Sequence, residues 1–151
     1  MIPILLAIHI LAAVVWVGGM FFAHRILRPA ALSLEMEQRV DLWFQVLSRF
    51  FPWVWGIVFA LPLTGYALIF TAFAGPAHVG LHIWAMQLLG WSMIALFAFM
   101  FFVYYRKMAQ RVKQRLLPEA AIYLGHIRTL VGINLLLGIG TVVIAATGRY
   151  W

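Results

Sequence analysis

Residues 2–23 read IPILLAIHILAAVVWVGGMFFA. This run decides the fold. Crossing about 30 Å of hydrocarbon takes about 20 helical residues, and the run supplies that length with a single ionisable group, His9. Ionisable residues at membrane depth are rare and usually mark a cofactor, ion or proton site. The other reading of His9 is a hydrogen bond to a Ser, Thr or carbonyl of a neighbouring helix.

Outward from this run the pattern repeats. The chain has 151 residues, 66% hydrophobic and 10% charged, with mean hydropathy +0.99. That leaves too little polar surface for a soluble domain. Stretches 51–73, 81–104 and 122–147 match 3–22 in length and apolar character, and none alternates with period two. The sequence therefore predicts one all-α domain, residues 1–151, an integral membrane four-helix bundle.

Cations orient it. The first connection carries Arg25, Arg28, Arg39 and Arg49, and the third carries Arg106, Lys107, Arg111, Lys113 and Arg115. The second, TAFAGPAHVG, carries none. The positive-inside rule then predicts an inner-membrane protein with both termini on the periplasmic side. The formal charge of +7 flanks apolar spans, so it reads as lipid anchoring rather than nucleic-acid binding. The chain has no cysteine, which excludes disulfides, Fe–S clusters, thiolate metal sites and thioether-attached haem. The first run lacks a basic leader and is too long for a signal h-region, so it is expected to remain as a span.

In the first connection, Met36, Val40, Trp43 and Leu47 recur on one helical face, Ser33 is placed to cap them, and Glu35 and Glu37 lie near the start. The sequence predicts a short amphipathic helix on the inner membrane surface before Pro52. The third helix is expected to extend to Leu117, with Pro118 and Glu119 opening the fourth. Gly75-Pro76 marks the outer turn. Small residues on helix one (Ala12, Ala13, Gly19), helix two (Gly56, Ala60, Thr64) and helix four (Gly132, Gly138, Gly140) offer close packing or room for a flat cofactor.

By depth, His9, His82 and His78 fall on the outer side, and His24 and His126 on the inner side. A haem b between helices needs two facing imidazoles in an apolar slot, which suggests His9 with His82; the alternative for His82 is an interfacial residue. His24 and His126 are candidates for a second haem or for solvated boundary residues, and His78 for a turn residue. Trp16 shares the His9 face and is either a packing anchor or a wall against a porphyrin. Arg25 and Arg128 suit propionates, phosphate or headgroups. His82, Met86, Met93 and Met100 form a stripe that is either core or, with His78, a copper site, since imidazole and thioether suit Cu(I). Asn134 and Thr141 on helix four suggest interhelical bonding or a quinone contact. No span carries a carboxylate and no Ser–His–Asp set is evident, so hydrolysis is not expected.

These residues carry a resemblance. AIHILAAVVWVGGMFF, with His9, Trp16 and Gly19, resembles the first helix of the CopD/HemJ superfamily of small membrane proteins. GLHIWA, with His82, is similar to the start of its third core helix, and FALPLTGYAL and IRTLVGINLLLGI to its remaining spans. The resemblance implies a four-helix bundle binding b-type haem, with His9 and His82 as ligands or redox-site residues. Trp84 stands where the oxidase branch has Lys, and TLVGIN lacks that branch's acid, so the likeness is nearer to the CopD side. The expected function is electron transfer by haem b between the quinone pool and an outer-side acceptor, possible membrane oxidoreductase chemistry included. The alternative is a CopD-like copper-handling protein; a porphyrinogen oxidase or a haem-free structural subunit ranks below both. Expected partners are the lipid bilayer, a quinone or a redox protein, and a second copy of the chain.

Overall fold

The computed structural model describes residues 1–73 and 75–150, and no strand occurs among them. Four helices are long and apolar enough to cross a membrane: α1 (Ile2–Ser33), α2 (Met36–Ala72), α3 (Leu81–Lys113) and α4 (Leu117–Thr147). The protein is a multi-pass, all-α four-helix membrane bundle. The α1–α2 and α3–α4 connections gather the arginines and lysines at one end, here the basic end. Met1 and the α2–α3 turn lie at the other, the distal end. That turn reverses at Gly75, whose φ of +112° is open to glycine at no cost.

The helices outrun the spans read from the sequence. α2 has 37 residues, about 55 Å against about 30 Å of hydrocarbon, so it projects into the interface. The amphipathic segment after Ser33 is therefore not a separate helix on the membrane surface. Val40, Trp43, Leu47, Phe51 and Val54 are all buried and follow one another by three or four residues through Pro52. The apolar stripe faces the bundle, and a helix with that stripe gains more by continuing than by bending at proline. Nor does Ser33 cap it: Glu35 precedes the helix, and the Ser33 hydroxyl donates to the Ala30 carbonyl at 3.0 Å. Pro118 does lie in the first turn of α4, with Glu119 beside it.

α1 packs on α2 and α3 on α4, and α4 also touches α1 and α2. In the basic half, rings fill the space between α2 and α3. Phe97 meets Phe51 edge-on at 5.5 Å and Trp55 at 5.2 Å, Trp55 meets Phe101 at 5.4 Å, and Phe51 meets Tyr105 at 4.7 Å. Such pairs add about 0.5–1.5 kcal/mol each beyond area burial. They also hold the two helices a ring's width apart. Both α1 and α3 widen to π-helical turns in this half, at Phe22–Leu27 and Met100–Tyr105. Of the small residues, Gly19 faces the Phe50 ring, Gly132 the His24 ring, and Gly138 faces Val17 and Met93, whereas Gly56 and Gly140 meet nothing across a helix interface.

α3 ends in a Schellman motif. The Leu116 amide donates to Arg111 O at 2.9 Å and the Arg115 amide to Val112 O at 3.0 Å. Arg115 occupies the left-handed position with φ 59°, where a Cβ costs about 1–2 kcal/mol. Its ion pair with Asp41, 3.8 Å long and largely solvent-exposed, offsets little of that. Arg115→Gly is expected to raise the thermal midpoint in detergent by about 2–4 °C; an unchanged or lower midpoint would count against this account of the turn.

Candidate functional site

The edge-on ring cluster of the basic half does not continue into the distal half, and a cavity of about 290 Å³ opens there, walled by all four helices, with Tyr66, Phe73 and Trp91 in its lining. Its lining is apolar except for a few groups, among them His9, Gln87, Tyr66 and Thr141. Gly65, Gly90 and Gly138 contribute bare backbone to its wall. The volume sits at the lower edge of the range for small-molecule sites, about 300–1,000 Å³.

His9 is the one imidazole on this cavity, and its proton can be placed. The Thr64 hydroxyl donates its only hydrogen to Ala60 O at 2.6 Å, one turn back on α2. At 2.8 Å from His9 Nδ1, Thr64 Oγ1 must then accept. The tautomer is therefore Nδ1–H, and Nε2 keeps its lone pair. A ligand imidazole is fixed in this way, by spending its other N–H on a protein acceptor. The ring lies against Gly65, where an added Cβ would come within 3.2 Å of His9 Cε1. The two readings of His9, hydrogen bond and ligand, are thus not in competition: Nδ1 makes the bond, and the ring still lines the cavity.

The helical rise compares depths. Val17 and Met93 meet at Gly138, where an added Cβ would lie 2.9 Å from Val17 Cγ2 and 3.2 Å from Met93 Cε. From that level His9 lies about 12 Å toward the distal end along α1, and Met86 about 10.5 Å along α3. His82 lies about 16.5 Å out, one turn beyond both. Met86 and Met93 line the cavity; His82 does not. Its ring and Cβ instead fill the space beside Gly80 and Gly148. So the structure sets His9 level with Met86, and places the expected partner His82 nearer the distal rim. His78, also expected near copper, is exposed in the distal turn.

The gap between α2 and α3 reaches the outer surface of the bundle. Tyr66 and Trp91 line the cavity and are 41% and 50% exposed, joined by a bond from Trp91 Nε1 to Tyr66 Oη at 3.3 Å. Below, Trp16 is buried, stacks edge-on to Phe97 at 6.2 Å, and closes the cavity floor.

Beneath Trp16 is a second, smaller cavity at the basic end, of about 30 Å³, lined by His24, Arg28, Trp43, Arg128 and Asn134 among apolar side chains. Arg128 lies 5.8 Å over the Trp43 ring. His126 is elsewhere, stacked on Tyr104 at 4.9 Å on another face of α4, so the expected inner pair His24–His126 does not share a cavity. Arg25 is exposed and lines neither cavity. It lies about 24 Å along α1 from His9, and Arg128 is at the same end, so neither arginine serves a group held on His9. Gly19, the remaining candidate, packs on Phe50 rather than on a cavity. Sequence reasoning missed Trp43 as a polar group. The available signal was an indole N–H on a stripe destined for burial, which needs a partner there.

Among the described residues no three His, Cys, Asp or Glu side chains cluster as metal ligands. No protein-family model, curated protein or solved structure matches the chain. Thr64→Val keeps the shape of the site and removes the acceptor of His9 Nδ1–H. It is expected to cost about 0.6–2 kcal/mol, read as a lower midpoint in detergent unfolding. His9→Ala should be no further destabilised by the Thr64 change; additive losses would show that the bond is not formed.

Proposed function

We propose that this protein is a membrane redox protein in which His9 would hold a haem b at the distal cavity, and which would pass electrons between a lipid-soluble donor such as a quinone and an acceptor at the distal face. One observation carries the reading: an imidazole bonded at Nδ1 to Thr64 stands in the wall of a largely apolar cavity. The residues fit the group in kind: His9 supplies an imidazole and Gly65, Gly90 and Gly138 leave bare wall, while a porphyrin, larger than the cavity, would have to part Tyr66 from Trp91 between α2 and α3. Bound there, haem supplies one-electron chemistry. The chain's part is to hold the imidazole in one tautomer through Thr64, to keep the site dry, and to set Trp16 and Phe97 beneath it. Met86, which shares the cavity with His9, would be the second residue to hold the group, ahead of His82.

This reading accords with the likeness to the CopD side of the CopD/HemJ superfamily. It accords less with the oxidase branch: Trp84 is 49% exposed and does not line the cavity. A copper-handling role is the second reading, favoured by His9, Met86 and Met93 sharing one cavity, since imidazole with thioethers is a Cu(I) donor set. In either case the cationic end is placed in the cytoplasm and the cavity toward the periplasmic face of the inner membrane by the positive-inside rule.

Reduced-minus-oxidised visible spectra and a metal assay on detergent-purified protein test this. A sharp α band with little copper is expected. His9→Ala should abolish it, and Met86→Leu should alter the band and midpoint potential more than His82→Ala does. Copper at one equivalent without haem would favour the second reading, and a colourless, metal-free preparation from porphyrin-supplied cells would end both.

A further inference from the structure

Arginines from three helices meet at the basic end. Arg28 of α1 and Arg128 of α4 stand beside the same small space, and Arg128 lies 5.8 Å over the ring of Trp43 on α2. Arg39 is one turn before Trp43 on that helix, and Arg28 and Arg39 both bear electrostatically on Arg128. Arg28 is exposed and the other two are half-buried. None of the three is paired. Among the described residues Glu119 bonds Arg111 at 3.1 Å and Asp41 bonds Arg115 at 3.8 Å, while Glu35 and Glu37 lie within ion-pair distance of no cation. Three guanidiniums gathered without a counter-charge repel one another, and partial burial weakens the screening of that repulsion.

Depth says what supplies the counter-charge. From the level of Gly138, Val17 and Met93, Arg28 lies about 16.5 Å and Arg128 about 15 Å toward the basic end. The distal ends of α3 and α4 are about 18 Å and 13.5 Å from that level in the other direction. A hydrocarbon layer about 30 Å thick therefore gives way to headgroups near these two arginines. The acids stand farther out. Glu119 is about 28.5 Å from the Gly138 level, Asp41 is tied to Arg115 in the turn beyond α3, and Glu37 is about 9 Å beyond Trp43. A headgroup layer is only about 5–8 Å deep. Charge is thus sorted by depth, with cations at the headgroups and acids past them.

We propose that Arg28, Arg39 and Arg128 form a binding site for the phosphate headgroup of an anionic membrane lipid, where α1, α2 and α4 meet. Guanidinium forks match phosphate oxygens two at a time, and basic pockets between transmembrane helices hold such headgroups. Phe22 and Ile26, on the bilayer side of Arg28, are exposed and offer apolar surface to the lipid's tails. The site is narrower than the general pull of a cationic end on an anionic leaflet: it requires these three arginines and not the exposed Arg106 and Lys107 of α3. It stands whether or not the distal cavity holds haem.

The experiment is thermal unfolding of the full chain in neutral detergent at fixed ionic strength, with dioleoyl phosphatidylglycerol, with dioleoyl phosphatidylcholine, or with inorganic phosphate. Phosphatidylglycerol is expected to raise the midpoint saturably over phosphatidylcholine, by about 3–5 °C at tenfold excess over the dissociation constant. The Arg28→Gln/Arg128→Gln pair should raise the half-saturating lipid concentration about thirtyfold, and Arg39→Gln alone about fivefold. In phosphatidylcholine the paired variant should melt no lower than the unaltered chain, because its repulsion is relieved; structural damage would not give that combination. Arg106→Gln/Lys107→Gln removes the same charge and should keep the response. Equal midpoints of the unaltered protein in the two lipids would overturn the proposal. So would an equal loss in both paired variants, which marks diffuse attraction, or a rise reproduced by inorganic phosphate, which assigns the arginines to a soluble ligand.

Discussion

The bond from His9 Nδ1 to Thr64 Oγ1 fixes more of this molecule than any other single contact. An imidazole in hydrocarbon must spend its N–H on something, and a threonine that has given its own hydrogen to Ala60 O has only acceptor capacity left. The pair therefore gives the Nδ1 proton a partner and joins α1 to α2 at the level of the distal cavity. Without Thr64 the same histidine would be free to present either nitrogen. Helix two then reads differently: its small stripe of Gly56, Ala60 and Thr64 contributes an acceptor at Thr64, not only close approach.

The cavity itself is a consequence of where the large rings are. Phe51, Trp55, Phe97 and Phe101 sit between α2 and α3 in the basic half and prevent those helices from closing. In the distal half, Gly90 on α3 meets nothing across the interface, and Gly65 on α2 faces the His9 ring of α1. Helices that are rigid over 30 residues or more cannot converge within half their length, so the spacing set by the rings is inherited by the glycines. Volume in the distal half is thus produced by packing in the basic half. Interhelical packing without a hydrophobic driving force depends on such shape matching.

The spans were legible from the sequence because hydrocarbon imposes length and composition on each separately. His9 was legible for the same reason: one ionisable group in an apolar run needs no neighbour to be noticed. What the sequence did not carry was relative depth. His82 looks like a partner for His9 when each is counted from its own span's start, yet the register is set by Val17 and Met93 meeting at Gly138, and that register brings Met86 level. The amphipathic segment shows the same failure in another form. Its periodicity was plain, but whether an apolar stripe lies on lipid or on a neighbouring helix depends on what stands opposite, and here α4, with Ile127 buried in the same core, stands opposite. The small basic-end cavity was hidden because its polar groups come from α1, α2 and α4 and are separated by many residues in the chain.

Trp16 is the one residue that lines both cavities, and its position couples them. On one face it closes the larger distal space; on the other it roofs the small space at the basic end, whose wall is apolar although polar side chains stand behind it. Counting from Gly138, Asn134 lies about 6 Å toward the basic end, so the two spaces stand little more than an indole apart, and a smaller side chain in place of Trp16 would join one to the other.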